Sequence, residues 1–379
     1  MNSILEIFSS NLRKHRKKLH LTQKELAEQL SYSEKAVSKW ETGLALPPSA
    51  LLPKLAQILK TGIDDLMSYE GDVKYYLGID GRSSQTEFIL ADSEGKILRR
   101  TILGPSNPND VGISATEDVL RRGIMETIAE YNTRSISAYA GISGAGVADF
   151  EEMIRKFLGR LGFARVQVGS DGMNPISAGL MKEDGIVAII GTGSSVYAKK
   201  GSEILRSGGY GHLLEDSASR FNLGRDAIVA ALRAEDGCAP DTRLLPLLKM
   251  QCNTDKLLDA LGIFYKGGKN EIARYANVVY DAYREGDLAA TEIIRRNICR
   301  FADLIKCVAA SFDKERIPLI LFGNMISMKD IIIPILEEYL SGGKFIFDIS
   351  VCETPASYGA LYLAGMKYPN SNIKDDTNA

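Results

Sequence analysis

Residues suited to binding phosphate groups occur in two separate parts of the chain. Between Asn11 and His20 there are five lysines or arginines and two histidines, but no acidic residue. Such a basic stretch suits the phosphate backbone of a nucleic acid. Much further along, Gly191-Thr192-Gly193-Ser194 follows the apolar run Gly185–Ile190. Glycines and hydroxyls in a turn let backbone N–H groups approach phosphate oxygens, so this second segment predicts a phosphate-binding turn.

The charge and composition of the chain are consistent with two different parts. Residues 1–70 carry ten basic and eight acidic residues, whereas the remainder carries 36 and 40. A chain of 379 residues that is 45% hydrophobic predicts two or three folded domains and excludes a mainly disordered, collagen-like or coiled-coil protein. The net charge of −2 excludes a uniformly basic nucleic-acid coat protein, but it allows a small DNA-binding domain on a larger acidic body.

Cysteines and apolar runs indicate the expected compartment. The five cysteines contain no CxxC pair, which argues against a disulfide framework or a zinc finger. The first residues are polar and basic rather than a signal peptide. The runs Gly185–Ile190 and Ile331–Leu336 are too short to span a membrane. We therefore expect a cytoplasmic protein without a membrane partner.

The spacing of apolar residues in residues 1–70 predicts five short helices. Thr22 with Glu25 forms a capping-box pattern, so a helix is expected from Gln23 to Leu30. Ser33 can cap a third helix that extends to Glu41. Val37 and Trp40 are spaced to face inward from this third helix, and Ala27 is small enough for two helices to cross closely. The remaining positions of the third helix lie on its outer face, available to a major groove.

The string from Leu21 to Gly43, with its continuation through Pro48-Ser49, Leu55-Ala56 and Ile63–Leu66, resembles the Xre (Cro/repressor-type) helix-turn-helix family. The resemblance implies binding to double-stranded DNA. The outer-face residues would then contact bases, while Gln23 would anchor a backbone phosphate at the positive end of its helix. Basic side chains before it, including Lys14, Arg16 and Lys17, would add phosphate contacts. The candidate DNA-binding residues are Arg13, Gln23, Ser33, Glu34, Lys35, Ser38 and Lys39.

The rest of the chain alternates predicted strands and helices in two similar halves, each led by a β-hairpin. Expected strands include Val73–Asp80, Gly185–Ile190 and Pro318–Phe322. Among the expected helices are continuous ones over 109–132 and 269–285. This order predicts a two-lobed α/β fold with a central cleft. We expect domains at 1–70 and 73–366, with lobe I at 73–183 plus 355–366, lobe II at 184–354, and a disordered tail at 367–379.

Ordered short motifs in this second part resemble the BadF/BadG/BcrA/BcrD-type ATPase family, particularly its N-acetylglucosamine kinase-like branch. The resemblance covers about Tyr75 to Met366 and implies the actin-like, sugar-kinase and Hsp70-type nucleotide-binding fold. The motifs are Gly78–Gly81, Gly104–Asn109, Ser143–Gly146, Gly191–Ser194, Gly208–Gly211, Asn222–Ala227 and Pro355–Ala360.

The resemblance implies ATP and Mg²⁺ as cofactors and a sugar or amino sugar as ligand. Asp80 would hold Mg²⁺, usually through water, and Asp171 would be the general base on a sugar hydroxyl. The implied nucleotide-binding residues are Asp80, Gly81, Ser84, Thr86, Gly191, Thr192, Gly193, Ser194 and Gly323. The implied sugar-binding residues are Asn107, Ser143, Gly144, Asp171, Tyr210, Gly211 and Asp216.

Several positions depart from the family pattern. The family's first phosphate turn is Gly-Gly-Gly-Thr-Lys-Thr, whereas this chain has Gly81-Arg-Ser-Ser-Gln-Thr86. Glu215 and Ser217 replace a glycine and a glutamate of the family's sugar loop. On the adenosine side, Gly-Gly-Gly-Val becomes Phe322-Gly-Asn-Met325. Side chains at glycine positions displace or strain a turn, so we expect weak ATP binding with slow or absent phosphoryl transfer.

Two functions are compatible with these observations. The first is a dimeric transcription regulator whose kinase-like body senses a sugar, amino sugar or nucleotide. The second is a working ATP-dependent N-acetylglucosamine or hexose kinase that carries a DNA-binding head. A dehydratase-activating ATPase would need cysteines in a Cys-Gly-Gly setting, and the sequence has none.

Overall fold

The computed structural model describes residues 4–67 and 73–369. The first of these segments forms the five helices expected from the sequence. They are α1 (Ile4–Lys18), α2 (Gln23–Leu30), α3 (Glu34–Glu41), α4 (Leu52–Leu59) and α5 (Ile63–Met67), with a 3₁₀ turn at Ser49–Leu51.

Local signals set the ends and the packing of these helices. The Glu25 N–H donates to the Thr22 hydroxyl, and the Thr22 N–H donates to the Glu25 carboxylate at 2.7 Å, which confirms the capping box. Ser33 caps α3 through the Ala36 N–H. Ala27, Val37 and Trp40 are buried in the core of this domain, so the predicted inward faces are confirmed.

Two five-stranded mixed sheets follow. The first has the order β3-β2-β1-β4-β5, in which β1 pairs antiparallel with β2 and parallel with β4. Its strands are β1 (Tyr75–Gly81), β2 (Thr86–Asp92), β3 (Ile97–Leu103), β4 (Ile136–Ile142) and β5 (Arg165–Ser170). The helices in the same stretch are α6 (Pro108–Val111), α7 (Ile113–Ile128), α8 (Phe150–Gly159) and α9 (Met173–Leu180).

The second sheet repeats this plan with the order β10-β9-β6-β7-β8. Its strands are β6 (Gly185–Ile190), β7 (Ser194–Lys200), β8 (Glu203–Ser207), β9 (Arg316–Phe322) and β10 (Ile346–Val351). The helices are α10 (Arg220–Glu235), α11 (Leu244–Cys252), α12 (Leu261–Arg274), α13 (Ala276–Arg284), α14 (Leu288–Ala309), α15 (Lys329–Leu340) and α16 (Ala356–Leu363). The duplicated two-lobed α/β fold predicted from the sequence is confirmed.

Helix α16 returns to the first sheet. A Cβ on Gly78 of β1 would lie only 2.6 Å from the Ser357 carbonyl oxygen, so glycine permits the close approach of the helix. The Ser137 hydroxyl of β4 donates to the Ala364 carbonyl at 2.6 Å. The assignment of 355–366 to lobe I fits these contacts, and the exact domain boundaries remain a prediction.

The sheet register determines where the candidate site residues lie. Asp80 near the end of β1 is opposite Gly141 in β4, which is opposite Gly169 in β5. Because β1, β4 and β5 are parallel, their carboxyl ends and following loops lie along one edge of the sheet. Equivalent strands β6, β9 and β10 bring the Gly191–Ser194 turn and Gly323 to the corresponding edge of the second sheet.

Some helices differ from the sequence prediction. The helix expected over 109–132 is two helices, because Gly112 adopts a positive φ of 80° between α6 and α7. The helix expected over 269–285 is divided between α12 and α13, and α12 is kinked at Gly268. Helix α11 lies outside the elements expected from the sequence, and Pro246 is in its first turn, where a helix tolerates proline. Most of the expected disordered tail lies outside the described residues.

Candidate active-site cleft and DNA interface

Asp80 is a buried carboxylate with a protein partner on each oxygen. Its Oδ1 accepts a hydrogen bond from the Asn174 amide at 2.8 Å. Its Oδ2 lies 2.6 Å from Nε of Arg82, a residue of the first turn. The side chain of Arg82 is 42% exposed, whereas that of Asp80 is only 4% exposed. The charge of Asp80 is therefore neutralised at the edge of the cleft by a side chain of the same turn.

Asp171 lies directly after β5, partly exposed beside Asp80. Burial and the negative charge of Asp80 raise the pKa of Asp171 to about 6, although Arg82, Arg206 and a hydrogen bond with Ser143 lower it. A carboxylate that exchanges its proton near neutral pH is suited to accept a proton from a hydroxyl group.

Three other residues expected to bind sugar hydroxyls, Asn107, Ser143 and Gly144, lie close together in lobe I. Gly144 has a φ of 79°, and a Cβ there would lie 2.2 Å from the Asn107 side-chain oxygen. The Asn107 amide donates to the Ser83 hydroxyl at 2.9 Å, so it also holds the first turn. With the Ser143–Asp171 hydrogen bond, the structure brings this part of the predicted sugar set together.

Arg206 is a residue of this region that the sequence analysis did not single out. It is exposed at the end of β8, and its guanidinium lies 5.6 Å from the centre of the Tyr210 ring and 6.0 Å from that of Tyr197. It donates hydrogen bonds to the carbonyls of Gly208 and Gly209. Arg206 thus holds the loop that carries Tyr210 and Gly211, and it lowers the pKa of Asp171.

The Gly191–Ser194 turn is held by Asp216 and covered by Lys269. The Gly191 N–H donates to the Gly193 carbonyl at 2.8 Å, and the Ser194 N–H donates to Asp216 Oδ1 at 2.5 Å. Lys269 Nζ lies 3.9 Å from Asp216 Oδ2 and 3.4 Å from where a Cβ on Gly193 would be. The structure therefore places Asp216 against the phosphate turn, and its expected contact with sugar remains a prediction.

The first turn forms one wall of a cavity of about 340 Å³. Asp80, Arg82 and Gln85 line it from lobe I, while Gly323 and Asn324 line it from lobe II. Gly323 has a φ of 117°, and a Cβ there would lie 2.3 Å from the Ile190 carbonyl oxygen, so this position requires glycine.

The other predicted residues of the first turn differ in exposure. Ser84 is exposed, whereas Gly81 and Thr86 are buried. The Thr86 hydroxyl forms hydrogen bonds with the Gly104 carbonyl and the Ser106 hydroxyl. The Thr86 hydroxyl therefore has structural partners within lobe I.

The residues at the expected magnesium position do not fit the ion. A magnesium ion binds a carboxylate directly at about 2.1 Å or through one of its waters, but both oxygens of Asp80 already contact nitrogen donors, one of which is the cationic Arg82. No step of the chemistry is therefore assigned to magnesium here.

The predicted DNA-reading face is exposed on α3. Ser33, Glu34, Lys35 and Lys39 are exposed and Ser38 is partly exposed, while Val37 and Trp40 point into the core. This amphipathic arrangement leaves polar side chains at the amino end of α3 free to enter a groove. Their contacts with DNA bases remain predictions.

Arg16 has a structural role that the sequence analysis did not recognise. It is buried, and its guanidinium donates to Glu41 Oε1 at 2.5 Å and to Glu41 Oε2 at 2.9 Å. The Gln23 amide donates to the same carboxylate at 2.8 Å. Burial alone would raise the pKa of Glu41, but these hydrogen bonds hold it below its ordinary value. The phosphate contact expected for Arg16 is therefore wrong.

Arg13 and Gln23 remain available as phosphate contacts. The Arg13 side chain is 49% exposed, and its Nε lies 3.8 Å from the Glu41 carboxylate. The Gln23 amide is partly exposed at the amino end of α2 while it holds Glu41.

Models of protein families match both parts of the chain. The BadF/BadG/BcrA/BcrD ATPase family matches residues 77–352. The chain belongs to this family. A helix-turn-helix model matches residues 12–66, so an Xre-type domain precedes the ATPase domain in the predicted order.

Individual relatives match the same two parts. An N-acetylmuramic acid/N-acetylglucosamine kinase of Clostridium acetobutylicum is 28% identical over 77% of this chain and 98% of its own length. The helix-turn-helix transcriptional activator BcrR of Enterococcus faecalis is 40% identical over 63 residues, which are 17% of this chain and 31% of the activator.

Solved structures confirm the fold. A candidate N-acetylglucosamine kinase from Chromobacterium violaceum superimposes with a TM-score of 0.62 at 21% identity, over 78% of this chain and all of that one. A ROK family transcriptional regulator, a homologue of the E. coli MLC protein, superimposes with a TM-score of 0.53 at 12% identity over 95% of both chains. Within the described residues, no helix has the length and apolarity that a bilayer crossing requires.

Proposed function

We propose that this chain is a DNA-binding transcription regulator whose kinase-like cleft senses an amino sugar. The Xre-type domain provides the DNA contact, and the cleft of an ATPase family with N-acetylglucosamine kinase-like relatives provides the ligand site. The kinase relative acts on N-acetylmuramic acid and N-acetylglucosamine, which supports an amino sugar as the ligand.

One observation favours sensing over catalysis. The Asp80 carboxylate is paired with Arg82 of the first turn and with Asn174. Arg82 occupies a position where the family has glycine, as the sequence comparison of the turn indicated. In contrast, the predicted sugar-binding residues Asn107, Gly144 and Asp171 form a connected polar surface. The nucleotide side of the cleft is therefore altered more than the sugar side.

Regulation requires that the ligand binds the two states of the protein with different affinities. In a homodimer, closure of the two lobes around a sugar would change the spacing of the two DNA-binding domains. Effector couplings of about 1–3 kcal/mol are typical, which corresponds to roughly 5- to 150-fold in DNA affinity.

We expect an amino sugar to change the DNA affinity of the full chain by about fivefold or more. The operator sequence can be enriched from a random DNA pool, and affinity is then measured by fluorescence anisotropy with N-acetylglucosamine, N-acetylmuramic acid or glucosamine. Asp171→Asn should bind the same DNA but lose the sugar response. Identical DNA affinity with and without every sugar would contradict the sensing proposal.

The recognition helix provides a second test. Lys35→Ala and Ser38→Ala should each weaken binding to the enriched operator by roughly 1–3 kcal/mol, because each removes a base contact. Arg13→Ala should weaken binding to all sequences alike. It should also reduce the slope of log K against log salt concentration by about one unit, because it removes one phosphate contact. Equal losses on operator and random DNA for Lys35→Ala would argue against base recognition by α3.

An active sugar kinase with a DNA-binding head is the second candidate. It is favoured by Asp171, which lies beside Asp80 at the cleft with a pKa of about 6 and could accept a proton from a sugar hydroxyl. A coupled assay with ATP and amino sugars distinguishes the two functions. Turnover near one per second, a usual kinase rate, would favour the kinase.

A further inference from the structure

The two turns of the cleft each have a cationic side chain beside them. Arg82 belongs to the first turn, and Lys269 from the kinked part of α12 lies over the Gly191–Ser194 turn. The next residue, Asn270, donates from its side-chain amide to the Ser83 carbonyl at 3.4 Å. This contact joins lobe II to the first turn, at residues next in sequence to Lys269 and Arg82.

Glu87 and Glu353 also line the cavity, but the two ion pairs oppose binding of a divalent cation at Asp80 itself. Each cation pairs with a buried carboxylate, Arg82 with Asp80 at 2.6 Å and Lys269 with Asp216 at 3.9 Å. A magnesium ion at Asp80 would have to displace the guanidinium and would then meet its positive charge. Coulomb repulsion and the loss of the Arg82–Asp80 ion pair both oppose such an exchange.

The geometry points instead to Arg82 in place of the metal. A guanidinium has five N–H donors, and the contact with Asp80 is made by Nε. Arg82 lines the cavity, and its side chain is 42% exposed. Its planar fork is suited to bind two phosphate oxygens at once. Lys269, 22% exposed, adds a second positive charge at the other turn.

We infer that the cleft binds a phosphate-bearing ligand, a nucleoside di- or triphosphate, through Arg82 and Lys269 without a divalent cation. The inference rests on the proposed function, in which the cleft senses ligands, and adds a metal-independent phosphate site to it. Phosphate charge would be balanced by these two side chains, which would also draw the two turns toward one ligand.

The test measures binding of a fluorescent ADP analogue to the full chain by anisotropy, in EDTA and in excess Mg²⁺. We expect the two dissociation constants to agree within about twofold. A site that depends on magnesium would instead bind much more weakly in EDTA, because it would lose its principal phosphate-binding charge. Arg82→Ala should weaken binding in EDTA by about tenfold or more, since it removes a charged hydrogen-bond donor. The affinity of the same variant for the ADP analogue should depend on Mg²⁺, because Oδ2 of Asp80 no longer contacts Arg82.

Lys269→Met is a second variant, expected to weaken binding equally in EDTA and in Mg²⁺. Arg99→Ala is the matched control, because Arg99 is a lobe I arginine in an exposed ion pair with Glu130. Wild-type affinity that rises about tenfold or more with Mg²⁺ would overturn the inference, as would full EDTA affinity in Arg82→Ala. An absence of binding in both buffers would overturn it too, while the sugar response of DNA binding tests the proposed function separately.

Discussion

Asp171→Asn is expected to reduce any phosphoryl transfer by roughly 100- to 10,000-fold, the usual contribution of a general base. The amide cannot accept the sugar hydroxyl proton, although it retains the shape and much of the hydrogen bonding of the carboxylate. Because the pKa of Asp171 is about 6, any wild-type transfer should decline as the pH falls below this value. A coupled kinase assay from pH 5 to 8 measures both effects.

The same substitution should stabilise the protein at pH 8. The folded-state pKa of Asp171 is raised, so its stabilising contribution is fullest below the unfolded-state pKa of about 3.9 and is lost as the pH rises through about 6. Asparagine does not ionise, and the variant should therefore be more stable by roughly 1–3 kcal/mol above pH 6.

Thermal unfolding at pH 4 and pH 8 checks this sign. The gap between variant and wild type should be present at pH 8 and small at pH 4. The exposed Asp118→Asn on α7 is the matched control and should change neither stability nor transfer. A loss of stability at pH 8 in Asp171→Asn would contradict this prediction, because it would show that the folded protein stabilises the ionised form of Asp171.

Arg16→Met is expected to destabilise the DNA-binding domain by about 3–5 kcal/mol, the range for removing one partner of a buried ion pair. The substitution would leave the Glu41 carboxylate buried with the Gln23 amide and with Arg13, which is half exposed. Helices α1 and α3 would lose the contact that joins their polar positions across the core. DNA binding should then fail at temperatures at which the cleft still binds its ligand.

Differential scanning calorimetry of the full chain, with DNA binding followed across temperature, measures this effect. Arg13→Ala is the control for the calorimetry alone, because Arg13 approaches the same carboxylate from an exposed position and should change stability by less than about 1 kcal/mol, although it weakens DNA binding. Glu41→Leu with Arg16→Met replaces the pair by apolar groups and should recover much of the loss. Equal stability of Arg16→Met and wild type would contradict the structural role of this pair.

The N-terminal helices were predictable because each depends on nearby residues. Thr22 and Glu25 define a helix start within one turn, and the spacing of Val37 and Trp40 identifies the buried face of α3. Arg16 was assigned to phosphate because basic residues surround it in the sequence. Its partner Glu41 is 25 residues away, and no local pattern indicates that the two side chains meet.

The cleft was predictable in its strands and turns but not in its pairings. The Gly191–Ser194 turn follows β6 as expected, and Asp80 and Asp171 lie at the edge where the parallel strands end. The pairing of Arg82 with Asp80 depends on side-chain geometry within the turn. Lys269 is the first residue of the helix expected over 269–285, and no local pattern indicates that its side chain reaches Asp216 beside the Gly191–Ser194 turn.

The return of α16 to the first sheet has a consequence for biosynthesis. Strand β1 begins at Tyr75, but the helix that packs against it begins only at Ala356. At about 5–20 residues per second, roughly 15–60 seconds separate the synthesis of these two segments. The DNA-binding helices can fold on the ribosome during that time. The apolar face of β1 and β2 stays uncovered until α16 has been synthesised. A nascent chain therefore holds a folded DNA-binding domain before it holds a complete ligand-binding cleft.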